Sequence, residues 1–208
     1  VYAQMINKFL ENPSTLNPEI AKGTIEKIIA QVDRASAIID HMREFSAEKT
    51  DRDLQLSKVS LHEVIDASLE LIGQQLKSNG IEFTNDISAD HQVLANGRRL
   101  EQIFINLFSN AKDSIVEKAK RSEEFIKVRS EITTTGIDLF VEDSGSGIPK
   151  EVQNNLFEPF VTSKPPGSGT GLGLSICVGI LKDFDSSITL VRTGENGTVF
   201  KLTFPGIE

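Results

Sequence analysis

The segment from Ser163 to Ser175 is rich in glycine and reads SKPPGSGTGLGLS. Its glycines stand at every second position from Gly167 to Gly173, and glycine lets backbone amides approach an anion with no Cβ in the way. An apolar periodic run follows at once, and the N-terminus of a helix favours negative charge. This segment, which we call the glycine loop, therefore predicts a phosphate-binding loop that opens a helix. A plain glycine-rich linker is the alternative, whereas the P-loop and dinucleotide-binding patterns do not fit.

Three groups of residues upstream also have types and spacing suited to ligand binding. Asp143 follows an alternating apolar run and precedes Gly145 and Gly147 in the stretch VEDSGSGIP. Asn106 and Asn110 are four residues apart in a helical pattern, so they share one helix face. The third group is the stretch LFEPF, which begins at position 156. Taken alone, Asp143 has a simpler alternative as an ordinary turn acid.

Together and in this order, the four blocks resemble the N, G1, F and G2 boxes of the ATP-binding domain of sensor histidine kinases. That domain belongs to the GHKL group, which gyrase, the heat-shock ATPase of ninety kilodaltons, histidine kinases and mismatch-repair ATPases share. The resemblance implies ATP and Mg²⁺ as ligands. It also implies transfer of the γ-phosphate to a histidine, and then to an aspartate of a response-regulator receiver domain.

The resemblance assigns a task to each block. Asp143 accepts a hydrogen bond from the exocyclic amine of adenine, and the glycines after it let the backbone pass close to the base. Asn110 offers a neutral oxygen to Mg²⁺, a hard cation that takes few protein ligands, and Asn106 lies beside the same ion. Lys164 reaches the terminal phosphates as a point charge, although an exposed, solvated lysine is nearly as good an interpretation. The predicted nucleotide-binding residues are Asn110, Asp113, Asp143, Gly145, Gly147, Ile148, Phe160, Gly169, Thr170, Gly171, Leu172 and Gly173.

Two side chains of the LFEPF stretch and the asparagine at position 106 refine this assignment. Although Phe160 is among the predicted nucleotide-binding residues, both Phe157 and Phe160 are more expected to anchor the loop by packing.

The ATPases of the group carry a glutamate general base where this chain has Asn106, and an amide does not accept a proton at neutral pH. A kinase is therefore favoured over the alternatives, which are an ATPase or protein serine kinase of the same group and a non-catalytic, ATP-gated dimerisation module.

The first fifty residues predict a helical hairpin. Apolar residues recur at alternating spacings of three and four, which is typical of the seam of a coiled coil or four-helix bundle; they are Ile25, Ile28, Val32, Ala35, Ile39 and Met42. In the resemblance this is the dimerisation and phosphotransfer hairpin, and it implies a homodimer. A monomer with this helix folded onto the larger domain is the alternative.

The phosphoacceptor histidine is not recognisable in this chain. The family places it before an acid, with a proline five residues after the histidine, on the first helix of the hairpin. His41 and His91 lack this context, and His62 has Ala67 where the proline is expected. We therefore expect these three histidines to be structural or exposed, and the acceptor to lie upstream of Val1, as in a fragment cut inside the first helix.

Composition limits the partners of this chain. It has 208 residues, of which 22 are Lys or Arg and 30 are Asp or Glu, so the net charge of -8 argues against binding to nucleic acid or to an anionic membrane. No apolar run reaches the length of a membrane span and no signal peptide opens the chain. We therefore expect a cytoplasmic location, although a longer parent protein could carry a membrane segment. The single cysteine, Cys177, lies in an apolar run and is expected to be buried.

Periodicity predicts an α+β fold with three parts. Residues 1–48 form the truncated hairpin, residues 49–58 a polar linker, and residues 59–208 the catalytic ATP-binding domain, a two-layer α/β sandwich of the GHKL (Bergerat) type with a mixed sheet. The predicted helices run from Ser60 to Leu76, from about Arg98 to Ala119, and through the residues after the glycine loop. The predicted strands are Ile81–Ile87, Phe125–Thr133, Ile137–Glu142, Ser187–Arg192 and Thr198–Phe204.

Overall fold

The structure, a computed structural model, describes residues 20–25, 28, 55–118, 123–165 and 169–207. The chain divides into two compact units. Val1–Glu48 and Lys164–Thr170 form the first unit, and Lys49–Ser163 and Gly171–Glu208 form the second. In the first unit, residues 20–25 and 28 are helical, as the hairpin prediction requires of Ile25 and Ile28. The other seam positions and His41 lie outside the described residues.

A five-stranded mixed sheet forms the centre of the second unit. Its strands are Glu82–Asp86 (β2), Phe125–Thr133 (β4), Gly136–Asp143 (β5), Ser187–Gly194 (β6) and Gly197–Pro205 (β7). They lie in the order β2, β4, β5, β7, β6, with β2 parallel to β4 and the other neighbours antiparallel. The predicted strands therefore all exist, and no end differs from its prediction by more than two residues.

A second, two-stranded sheet was not predicted. It pairs β1 (Ser57–Ser60) with β3 (Gln92–Ala95) in antiparallel orientation. Strands of four residues carry too little alternation to be separated from loop in a polar stretch. Strand β1 begins at Ser57, so it overlaps the last two residues of the predicted linker, residues 49–58.

The described part of the second unit also contains three helices and one short helical turn. They are α1 (Leu61–Ser78), α2 (Gly97–Glu117), the short α3 (Lys150–Gln153) and α4 (Gly173–Lys182). Side-chain oxygens mark the starts of α1 and α2, because Ser60 accepts a hydrogen bond from Glu63 N at 3.4 Å and Asn96 accepts one from Arg99 N at 3.2 Å. Within the described residues, we find no helix with the combined length and hydropathy needed to span a bilayer.

The core lies between the helices and one face of the sheet. Along β5, Ile137, Leu139 and Val141 are buried, while Asp138 and Phe140 between them point to the opposite, more accessible face. The largest fully buried side chains come from both layers and include Ile65, Leu100, Phe104, Phe108, Ile126 and Phe204. Helices on one face of a mixed sheet confirm the predicted two-layer α/β sandwich.

Candidate functional site

Helix α2 carries a polar stripe along its length. Asn106, Asn110 and Ser114 stand four residues apart, and Lys118, the C-cap residue, continues the same spacing. Buried apolar residues on the other side of the helix pack against α1 and the sheet. At 1.5 Å rise per residue, the stripe from Asn106 to Lys118 is about 18 Å long. Each end of the stripe contacts a different part of the second unit.

The first end of the stripe meets the N-terminus of α4. The Asn106 amide donates a hydrogen bond to the carbonyl of Gly173 at 3.4 Å. A Cβ built on Gly173 would lie 3.8 Å from Asn110 Nδ2, so both predicted asparagines lie beside the first residue of α4. Leu172 is the N-cap of α4 and has no side-chain oxygen with which to cap it. The two asparagines, which share one face of α2, therefore lie together beside the start of α4.

Asn110 has a side-chain oxygen that could serve a cation, and Asp113 lies one turn further on along α2. Among the described residues, none forms a hydrogen bond with the Asn110 side chain, and an amide oxygen is a suitable ligand for Mg²⁺. The Asp113 carboxylate is 34% exposed and lies 3.4 Å from the Lys112 ammonium. No cluster of three acidic, histidine or cysteine side chains that would suit a metal occurs in the described part of the chain. A metal held here needs most of its ligands from water or from a bound molecule.

Asp143 ends β5 and is 6% exposed. Its Oδ1 accepts hydrogen bonds from the amides of Gly145 at 2.7 Å and Thr198 at 3.3 Å, while no donor from the described residues reaches Oδ2. Burial raises the pKa of the Asp143 carboxyl to about 6, against the opposing effects of these two amides and of Lys118, and Glu142 adds a small rise. A buried carboxylate with one oxygen fixed and the other available is suited to accept a hydrogen bond from a ligand.

The turn after Asp143 packs tightly against its surroundings. A Cβ on Gly145 would lie 2.3 Å from Ser114 Oγ, and one on Gly147, whose φ is 79°, would lie 2.3 Å from the carbonyl of Gly194. Both glycines are thus required by close approach of the backbone. The amide of Ile148 donates to Thr193 Oγ1 at 2.7 Å. The β6–β7 turn is equally close, because a Cβ on Gly197 would lie 1.8 Å from the Asp143 carbonyl.

Phe160 and Gly171 join the two sides of the glycine loop within the second unit. The Phe160 amide donates to the Gly171 carbonyl at 2.9 Å, and both residues are left-handed, with φ values of 68° and 67°. The expected packing of Phe160 is wrong, since this residue is 69% exposed; the left-handed backbone that makes the hydrogen bond leaves the ring outside the core. Phe157 does pack, with its ring centroid 6.4 Å from that of Phe200. Leu172, next to Gly171, is buried.

Three predicted phosphate contacts belong to the other unit. Lys164, Gly169 and Thr170 group with the N-terminal residues, so their assignment stays a prediction.

Two histidines and the single cysteine make contacts that suit a structural role. His91 Nδ1 lies 2.7 Å from Ser130 Oγ, and His62 lies 3.1 Å from the carbonyl of Ile87. Cys177 is fully buried between α2 and α4, and burial raises the pKa of its thiol to about 12, which makes it a packing residue as predicted.

The candidate site also includes residues that the sequence did not point to. Thr198 holds Asp143 through a backbone amide, which any residue type supplies, so its side chain carries no signal. Ser114 and Lys118 contact the turn after Asp143. Their four-residue spacing from Asn110 is a signal that would have placed them on the same face of α2.

Residues 95–207 match a family model described as histidine kinase-, DNA gyrase B-, and HSP90-like ATPase. The chain is 34% identical over 200 residues to the C4-dicarboxylate transport sensor protein DctB of Rhizobium meliloti (strain 1021), a match that covers 96% of this chain and 30% of that protein. Curated relatives are in general much longer, and the chain spans 20–40% of their length.

Two solved structures are similar to this chain. The catalytic domain of histidine kinase ThkA is 33% identical, with a TM-score of 0.61 over 72% of this chain and 95% of that one. Histidine kinase ThkA in complex with the response regulator protein TrrA is 26% identical, with a TM-score of 0.74 over 99% of this chain and 58% of that one.

Proposed function

Since the chain belongs to the family of histidine kinase-, DNA gyrase B-, and HSP90-like ATPases, we propose that it is the ATP-binding kinase core of a sensor histidine kinase. In this proposal it passes the γ-phosphate of ATP to a histidine outside the described residues. The phosphoryl group then moves to an aspartate of a response-regulator receiver domain. The structure of histidine kinase ThkA with a response regulator supports the second partner by similarity.

One observation carries the proposal. Helix α2 presents polar side chains to two chemically different parts of the site, the start of α4 and the turn after Asp143. Asn106 and Asn110 lie beside the start of α4, and Ser114 and Lys118 contact the turn of Asp143. The available Oδ2 of Asp143 would accept the exocyclic amine of adenine. Guanine carries an oxygen at that position and would meet the carboxylate with a second acceptor. The site therefore favours adenine.

The phosphate end uses dipoles and a cation. The N-terminus of α4, which has no side-chain cap, would supply backbone amides and a positive dipole end for the phosphates. The free oxygen of Asn110 would hold Mg²⁺, with Asn106 next to it and the phosphates completing the coordination. When bound, Mg²⁺ neutralises charge on the phosphates during transfer. Lys164, Gly169 and Thr170 are the further phosphate contacts that the sequence proposes.

Asn106 favours transfer to a protein nucleophile over hydrolysis. Its amide donates to the Gly173 carbonyl, and an amide does not act as a general base at neutral pH. Water is therefore not activated at this position, which keeps the γ-phosphate available for the imidazole of a histidine. A homodimer formed through the N-terminal hairpin would bring that histidine to the site.

The test is a calorimetric titration of this chain with ADP and GDP in Mg²⁺. We expect ADP to bind more tightly, and Asp143→Asn to weaken ADP binding by about 1–3 kcal/mol, the loss expected when a charged hydrogen bond is removed. Glu151→Gln, an exposed acid on α3, is the control and should leave the affinity unchanged. Equal affinity for the two nucleotides, or no effect of Asp143→Asn, would remove the basis of the proposal.

A further inference from the structure

We propose that Lys118 is a positioning residue for adenine recognition, because it orients the peptide group that holds the Asp143 carboxylate. The inference rests on the proposed function, in which Asp143 binds adenine. Lys118 itself is not placed against the nucleotide. It acts through the backbone of the turn.

Lys118 reaches this turn from the C-terminal end of α2. Its ammonium donates to the carbonyl of Ser144 at 2.6 Å and to the carbonyl of Gly145 at 3.1 Å. The carbonyl of Ser144 and the amide of Gly145 belong to one peptide group. That amide is the closer of the two donors to Asp143 Oδ1, at 2.7 Å. One planar peptide thus links the lysine ammonium to the aspartate carboxylate.

The linkage strengthens both of its hydrogen bonds. A peptide whose carbonyl accepts from a cation becomes a better donor at its amide, since hydrogen bonds in series polarise one another in a medium of low dielectric constant. Asp143 and Ser144 are both buried, so this medium is present here. Removing the lysine should therefore weaken the Gly145 hydrogen bond to Asp143, although neither Gly145 nor Asp143 changes.

Other contacts fix the turn but bring no charge. Ser144 is held to β4, since its Oγ accepts from Phe125 N at 2.8 Å and its amide donates to Phe125 O at 3.1 Å. Ser146 is held to α2, because its amide donates to Ser114 Oγ at 3.1 Å. These contacts should keep the turn in place when Lys118 is replaced. A change in adenine affinity then reports the loss of the lysine charge and not a loss of folding.

Among the described residues, Lys118 is also the cation that acts on Asp143. The other groups facing the carboxylate are the amides of Gly145 and Thr198, which favour its ionised form, and Glu142, which disfavours it. Arg192 is already paired with Glu142 at 2.6 Å. Without Lys118, the pKa of Asp143 rises further above its ordinary value. A protonated carboxyl is a poorer acceptor for the adenine amine, so affinity for adenine should fall near neutral pH and recover at higher pH.

The experiment compares Lys118→Met with the parent chain from about pH 5 to about pH 8.5, a range that spans the titration of the carboxyl. The measured quantity is the ratio of the affinities for ADP and for the purine riboside diphosphate, which lacks the 6-amino group. This ratio cancels the titration of the phosphates, which both ligands share. We expect the ratio at about pH 7 to fall roughly five- to tenfold, with its pH midpoint moved upward. Lys118→Arg should restore most of the ratio, because arginine keeps the charge and donors.

Lys77→Met is the matched control. It removes an exposed lysine from the last turn of α1, so the net charge changes equally while the ratio should not change. An unchanged ratio in Lys118→Met, or a fall in the ratio that is the same at every pH, would overturn the inference. If Asp143→Asn leaves the same ratio unchanged in the parent, the failure belongs to the proposed function and not to Lys118.

Discussion

The guanidinium of Arg99 forms an ion pair with the carboxylate of Asp183 between the two helices that carry the candidate site. Arg99 lies in the first turn of α2, and Asp183 is the C-cap of α4. Their side chains are only 22% and 13% exposed, and the guanidinium also lies 6.0 Å from the ring centroid of the buried Phe184. The pair therefore fixes α4, the helix that follows the glycine loop, against α2.

Breaking this pair should destabilise the second unit. Asp183→Asn leaves a half-buried guanidinium without its counter-charge, so we expect the free energy of unfolding to fall by about 1–3 kcal/mol. Asp86→Asn is the control, because its partner Lys127 is 3.5 Å away and both side chains are exposed; it should cost less than about 1 kcal/mol. Urea denaturation measures both. Equal effects in the two variants would show that burial of the Arg99 pair adds nothing.

Asp143→Asn should stabilise the nucleotide-free chain while it weakens adenine binding. Because the pKa of the folded carboxyl is about 6 and its ordinary value is 3.8, the folded state holds its proton more tightly than the unfolded state. Stability of the parent therefore falls as pH rises through this window, by up to about 3 kcal/mol. The amide does not ionise, so the gain of the variant should be near zero at about pH 4 and complete at about pH 7. Urea unfolding at both pH values tests it, and a difference that is independent of pH speaks against the raised pKa.

Asn110→Ala should remove the part of nucleotide affinity that depends on Mg²⁺. We expect roughly tenfold or greater loss in the presence of Mg²⁺, since even outer partners of a metal contribute that much, and unchanged affinity in EDTA. Asn79→Ala, at the exposed C-cap of α1, should change neither value. Calorimetric titration with ADP gives both numbers. A variant that keeps its full response to Mg²⁺ would assign the ion to another residue.

Alanine substitutions at Gly171 and Gly179 should have opposite effects on the free energy of unfolding. In Gly171→Ala, the new Cβ lies 2.5 Å from the backbone of Phe160 and the φ of 67° is retained, so we expect a loss of about 1–3 kcal/mol in unfolding free energy. In Gly179→Ala, nothing lies within 4 Å of the new Cβ in the exposed middle of α4, so a gain of about 0.5–1 kcal/mol is expected. Thermal unfolding distinguishes the signs, and a stable Gly171→Ala variant would show that the left-handed pair is not required.

Radiolabelled ATP should leave this chain unlabelled. His62 faces the carbonyl of Ile87 and the carboxylate of Asp66, and His91 contacts Ser130, so neither is presented to a phosphate. A longer stretch of the parent protein that carries the proposed acceptor helix should become labelled with acid-labile, base-stable chemistry. Label mapped to His41, His62 or His91 would contradict the assignment of the acceptor.

Periodicity was sufficient for most elements of the second unit. Long helices and strands repeat their apolar residues often enough to be recognised, as α2 and β5 do. The strands β1 and β3 were missed because four residues hold only two alternations. The parallel pairing of β2 with β4 could not be predicted either, since the pairing and register of strands that are distant in the sequence depend on packing that one sequence does not display.

The candidate site was predictable where chemistry depends on side-chain type. Asn106, Asn110 and Asp143 stood out by residue type and spacing. Thr198 did not, because it contributes a backbone amide. Lys118 did not, because a lysine near a helix end is ordinary until the carbonyls that it contacts are known. Phe160 was misjudged, since its left-handed backbone follows from a hydrogen bond to a residue eleven positions away.

The close approach of Gly197 to Asp143 has a practical consequence for inhibitors. There is no room for a Cβ on Gly145, Gly147 or Gly197, so the turn after Asp143, the proposed adenine site, has little freedom to change its shape. Compounds that mimic only the base would therefore find a pre-formed surface and lose little entropy on binding. Their affinity should be insensitive to sequence changes in the glycine loop, so resistance mutations would have to arise in the turn itself, where the glycines leave little freedom to vary.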